Sequence, residues 1–189
     1  NQAFNNSRMI GLMYQHTRSK FLGTLSFFTE SDAMKMTSDK LGNQGVGMMT
    51  RLVYKPFCEP GKIFHVGLSG AFETPRYSSD KELSHHSYTL STTFPTRIAK
   101  VVAQEAVIDD AKMLYKFTPE LTAAIGRVGL ETQYFYVNVN RKDKPCYKAS
   151  GAYGTIRALV KGKNYKYANL DGGIATPDPG SMEVVVSYN

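Results

Sequence analysis

The residues from Lys112 to Val139 constrain the fold more than any other stretch. From Lys112 to Ile125, Met113, Tyr115, Phe117, Leu121, Ala123 and Ile125 fall on one side, and Lys112, Lys116, Thr118, Glu120 and Thr122 on the other. Successive side chains of an extended chain point to opposite faces, so a period of two marks a strand. Gly126-Arg127 supplies a two-residue turn, and Val128–Val139 returns as a second arm, giving a hairpin. Both arms exceed the roughly 5–6 residues usual for globular strands. Pro119 is awkward here, because proline cannot donate to a ladder in a strand paired on both sides.

The same alternation runs through most of the chain. It predicts strands at Ser7–Gln15, Lys20–Phe28, Gly45–Lys55, Ile63–Thr74, His86–Phe94, Tyr147–Ala158, Asn164–Ala168 and Met182–Tyr188. Arg97–Asp110 suits a helix by spacing and a strand by its β-branched content, and we read it as a strand. Pro56–Gly61 is expected as a compact turn. Short and longer connections tend to alternate, with 169–180 among the longer ones. The link at Asp109-Asp110 should be long on that scheme and is not. The fold class is therefore all-β, as an antiparallel up-and-down barrel in a single domain.

Three features place the apolar faces outside, against lipid. Aromatics sit near strand ends (Tyr14, Phe21, Phe27, Tyr54, Phe64, Phe72, Tyr134, Tyr136), as in an interfacial girdle. Opposite faces carry Gly, Ser, Thr and charged residues, as a wet lumen permits. Strand lengths approach those of tilted membrane strands. No window nears the roughly 18 consecutive apolar residues of a membrane helix. The alternative is a soluble or periplasmic β-barrel binding module; a third reading is a structural barrel subunit of an outer-membrane complex.

A net charge of +7 favours anionic partners. The cations are scattered, with Arg141-Lys142 the one adjacent pair, so nucleic acid is not expected as a partner. Cys58 and Cys146 fall at opposite rims on this phasing, about 25 Å apart, too far for a disulfide. No phosphate-binding glycine loop, zinc spacing or triad occurs, so no catalytic residue, metal site or cofactor is assigned. His85-His86 would point apart in an extended chain, and Asn5-Asn6-Ser7 is read as a chance glycosylation match.

The run Lys116-Phe117-Thr118-Pro119-Glu120-Leu121, with Val128–Val139 after the turn, resembles the central hairpin of the phosphate-selective porins of the O/P type. Gly47–Pro56, Ala152–Tyr167 and Gly180–Tyr188 resemble further segments of that family in the same order, with Lys163, Met182 and Ser187 replacing its Glu, Trp and Arg. The resemblance implies a roughly 16-stranded porin of a Gram-negative outer membrane. It also implies a homotrimer in contact with bilayer lipid and lipopolysaccharide that passes small anions such as phosphate by passive diffusion. Family barrels extend further at both ends, so additional strands are expected on either side, because a barrel cannot leave open edges in lipid. A porin is not an enzyme. On this phasing Arg51, Lys55, Lys112 and Lys116 face the lumen as the anion pathway, with Arg51 foremost because it lies mid-strand. The competing role for each is a solvated charge at a rim. Glu120 and Glu131 are expected opposite one another as lumen carboxylates that pair with these cations. Arg157 shares a face with Tyr153, which leaves its direction open.

Overall fold

Alternation of side chains along the sequence becomes one antiparallel sheet with two chemically unlike faces. The computed structural model describes residues 9–30, 45–75, 87–93 and 102–188. Their strands are β1 Met9–Thr17, β2 Phe21–Glu30, β3 Val46–Glu59, β4 Lys62–Glu73, β5 Tyr88–Thr93, β6 Val102–Ile108, β7 Ala111–Ile125, β8 Val128–Arg141, β9 Tyr147–Lys161, β10 Tyr167–Ala168, β11 Gly173–Ile174 and β12 Met182–Tyr188. Eight of them form one sheet in the order β1-β2-β3-β4-β7-β8-β9-β12, with β1 and β12 at its edges, so the sheet does not close on itself. No helix occurs among the described residues. His85, His86 and Asn5-Asn6-Ser7 lie outside them.

Polarity is inverted relative to a water-soluble domain. Phe21, Leu52, Phe117, Ile125, Ile156 and Val186 project from one face, and Ile125 is 84 % exposed. The other face holds Lys55, His65, Glu73, Glu120 and Thr122, all buried. An apolar exterior around a polar interior is the arrangement of a wall that meets lipid on one side and a wet lumen on the other.

The polar face is buried because two connections fold over it, one from each rim. Near the long-loop rim, β5 and β6 pair, among the described residues, only with each other, within the connection between β4 and β7. Ile108 packs with Leu114, Val137 and Val139, and the Tyr88 hydroxyl donates to the Glu73 carbonyl at 2.9 Å. From the opposite rim, residues 162–181 between β9 and β12 carry Tyr165 and Tyr167 onto Ile63, Ala124 and Leu159. This second fold is tied into both tight turns. Gly61 N donates to the Tyr165 carbonyl at 2.8 Å, and Tyr165 N donates to the Gly126 carbonyl at 3.1 Å.

These two folds correct the sequence reading. The strands expected at His86–Phe94 and Arg97–Asp110 exist in part, as β5 and β6, but they stand outside the wall. That explains the short link at Asp109-Asp110: it joins an inward hairpin to β7, and Asp110 turns the chain with φ of 57°. Asn164–Ala168 is likewise no wall strand. β9 pairs directly with β12, so the whole of 162–181 leaves from and returns to the short-turn rim, and 169–180 is not a loop of the other rim.

Two prolines are placed by their missing donors. The turn expected at Pro56–Gly61 shrinks to Pro60-Gly61, because β3 runs on to Glu59 through a register shift between Tyr54 and Phe57. Pro56 lies in that bulge, where the ladder is already interrupted. The shift keeps Tyr54 and Phe57 exposed while Lys55 stays buried. Pro119 pairs with Leu68 in an unbroken ladder to β4, while the ladder to β8 skips from Phe117–Tyr136 to Glu120–Gln133. The absent N–H falls in that gap, which is how a proline sits mid-strand.

Candidate functional site

Between the two inward folds a strip of polar wall stays open as a groove of about 420 Å3. Arg51 (β3), Ser69 (β4), Thr118 and Glu120 (β7) and Gln133 (β8) line one end, and Lys116 and Ala71 the other, with Phe135 also contributing. Register puts them side by side. Arg51 pairs with Ser69 and Ser69 with Thr118, while Gly67 pairs with Glu120 and Glu120 with Gln133.

At the groove's short-turn end Glu120 is the hub. Its Oε1 accepts from Arg51 Nε at 2.8 Å and lies 3.1 Å from His65 Nε2, and its Oε2 accepts from Gln133 at 3.0 Å. A carboxylate can only accept, so the bond to Glu120 requires a proton on His65 Nε2, and the Tyr167 hydroxyl lies 3.0 Å from Nδ1 on the other side of the ring. Gly67 makes room for this hub: a Cβ there would run into the Glu120 carboxylate, with its Cγ at 2.8 Å.

Arg51 does two things at once. Beyond Glu120, its terminal nitrogens donate to the carbonyls of Asp171 and Gly172, each at 2.7 Å. Gly172 has φ of +68°, a left-handed conformation that brings its backbone against the guanidinium. Lys55 is buried, donates to Asn169 Oδ1 at 2.8 Å and stands over the Tyr167 ring, 5.2 Å from its centroid. Both cations therefore face the polar side, and both hold residues 162–181 against the wall. Burial drives the Tyr167 and Tyr165 hydroxyls far above their ordinary titration range, and the Glu183 carboxylate that accepts from Tyr165 at 2.6 Å adds to the second. At the far side of the segment, Lys166 grips both oxygens of Asp178 at 2.7 and 2.9 Å and holds that carboxyl below its usual range.

The other expected site residues separate. Lys116 lines the opposite end of the groove, 3.4 Å from Glu73. Lys112 is exposed, lies at the register shift between Ala111 and Met113, and falls outside the groove lining. Glu131 shares the polar face but stands across from Thr122, not Glu120. It pairs with Arg157 at 3.4 Å, and Arg157 also reaches Glu183 at 3.5 Å, which settles the direction of Arg157 as inward. Cys58 and Cys146 are free, in β3 near the short-turn rim and in the β8–β9 connection.

The sequence reading gives a role to neither His65 nor Tyr167. A histidine at an inward position among Gly and Ser was the available signal. Its tyrosine partner is 102 residues away and invisible to local periodicity.

An apolar exterior, a polar groove and inward folds from both rims describe a channel wall, and comparison with known families agrees. The family model for phosphate-selective porin O and P matches residues 1–189. The chain belongs to the phosphate-selective porin O and P family. Its members are Gram-negative outer-membrane porins, a family of channels and not of enzymes. No curated protein matches the chain.

Proposed function

We propose that this chain forms wall and lumen lining of an outer-membrane porin that passes small anions such as phosphate by passive diffusion. The observation that carries the reading is the open polar strip between the two inward folds, with Arg51 at one end and Lys116 at the other. An anion entering the strip sheds part of its water shell and takes charge-assisted hydrogen bonds from these donors. Each donor already faces a carboxylate, Glu120 or Glu73. The anion competes with that carboxylate, so it binds weakly and leaves readily, as conduction requires. Of the four cations expected along the pathway, Arg51 and Lys116 serve it; Lys55 acts as a clamp and Lys112 lies beside it.

The family supports the rest of the reading: a Gram-negative outer membrane, a barrel closed by roughly 16 strands, contact with lipopolysaccharide and a homotrimeric assembly. The test is the reversal potential of the full-length protein in a planar bilayer under a KCl gradient. Anion preference is expected, and Lys116→Glu should move the permeability ratio several-fold towards cations. Cation preference in the wild type would overturn the assignment.

A further inference from the structure

We propose that the outer wall carries a built site for an anionic glycerophospholipid, with an acyl chain in a notch at Gly23 and the phosphate at Arg18. The proposal rests on the lipid-facing reading of that wall.

Across β1, β2, β3 and β4 one row of partners reads His16, Gly23, Leu52, Leu68. Gly23 is a missing tooth in this row. A Cβ built there would touch only Leu52 Cδ2, at 3.6 Å, so the place of a side chain stands vacant. Leu52 and Leu68 on one side and Phe21 on the other make the vacancy into a groove of about 720 Å3. The groove runs to the short-turn rim, where Arg18 follows β1. The backbone there is fixed, with Arg18 N donating to the Phe21 carbonyl at 2.7 Å. Arg18 Nε donates to His16 Nε2 at 3.1 Å, which aligns the guanidinium beside the groove and leaves its fork of two terminal nitrogens for a phosphate.

Shape alone would not select a lipid. Hydrocarbon gains nothing by leaving hydrocarbon, so apolar contact gives an acyl chain no preference for this groove over the surrounding bilayer. Van der Waals fit in the notch and a charge-assisted phosphate bond at its mouth must act together. Short turns of such barrels face the periplasm, the leaflet of glycerophospholipids, which sets the occupant as a phospholipid and not lipopolysaccharide. Phosphatidylglycerol suits the site better than phosphatidylethanolamine, whose own ammonium competes with Arg18 for the phosphate.

Native mass spectrometry of the full-length protein in detergent, titrated with phosphatidylglycerol or phosphatidylethanolamine, tests this. Wild type should hold one phosphatidylglycerol per chain with about tenfold lower half-saturation than phosphatidylethanolamine, a difference of about 1.4 kcal/mol. Gly23→Leu, which fills the notch, and Arg18→Gln should each abolish the preference. Both changes lie outside the lumen, so unchanged bilayer conductance certifies that the variants are folded. Conducting variants that keep the wild-type preference would overturn the proposal, as would displacement of phosphatidylglycerol by an equimolar amount of lipopolysaccharide. A wild-type protein that neither partitions into outer membranes nor conducts would instead overturn the porin reading, and this site with it.

Discussion

Glu120 shows how one side chain can hold a wall and a plug together. It is nearly enclosed, its side chain 5 % exposed, and it accepts from Arg51, His65 and Gln133. Charge within such an enclosure is tolerated only while it is paired, and removing one partner strands the other. Glu120→Gln should therefore loosen residues 162–181 as well as the β3–β4–β7 wall, at a cost of about 2–3 kcal/mol. The readout is the temperature at which the folded, fast-migrating form in detergent electrophoresis is lost, and an unchanged temperature would show that the hub holds nothing. At this scale the sequence was legible by face but not by partner. Alternation put Arg51, Lys55, Lys116, Glu120 and Glu131 on the polar side, where they are. It could not pair Arg51 with Asp171 and Gly172, because those contacts span about 120 residues and are made by backbone carbonyls, which carry no residue signature.

The elements that sequence misassigned are the two that fold inward. A β-rich segment looks the same whether its ladder partner is the wall or itself, so β5 and β6 passed for wall strands. Tyr165 and Tyr167 alternate like a strand because they bury alternate side chains against Ile63 and Ala124, though the segment lies on the sheet and not in it. The short link at Asp109-Asp110 was the one visible sign that the count of wall strands was off. The inward position of 162–181 also predicts a measurable effect. Replacing residues 163–180 by a short Gly/Ser turn leaves the register of β9 and β12 in place and uncovers Lys55, His65 and Thr122. Single-channel conductance in 1 M KCl should rise, by about twofold if this segment forms the narrowest point. Unchanged conductance would put the narrow point elsewhere, against the hairpin of β5 and β6 or outside the described residues.

Across the whole molecule, charge is distributed in a way the total conceals. The chain carries +7. Yet along the polar face Arg51 meets Glu120, Lys116 meets Glu73, and Arg157 meets Glu131 and Glu183. The described wall is close to neutral at contact range, so in the proposed anion pathway the long-range field of the remaining charge adds to the direct contacts at Lys116 and Arg51. Such a field is screened within about 10 Å at 0.1 M salt and about 3 Å at 1 M. The anion-to-cation permeability ratio should therefore fall several-fold between those salt concentrations. A ratio that held constant would locate selectivity in direct contacts at Lys116 and Arg51.

The ties of residues 162–181 also dictate an order of events during assembly. The segment binds β3 through Arg51 and Lys55, β4 through His65, and the β7–β8 turn through Gly126. None of these anchors is in place until four neighbouring strands have found register, and closure over such sequence distances is slow. The plug is thus a latecomer that can dock only on a finished wall, and a mispaired sheet offers it no seat.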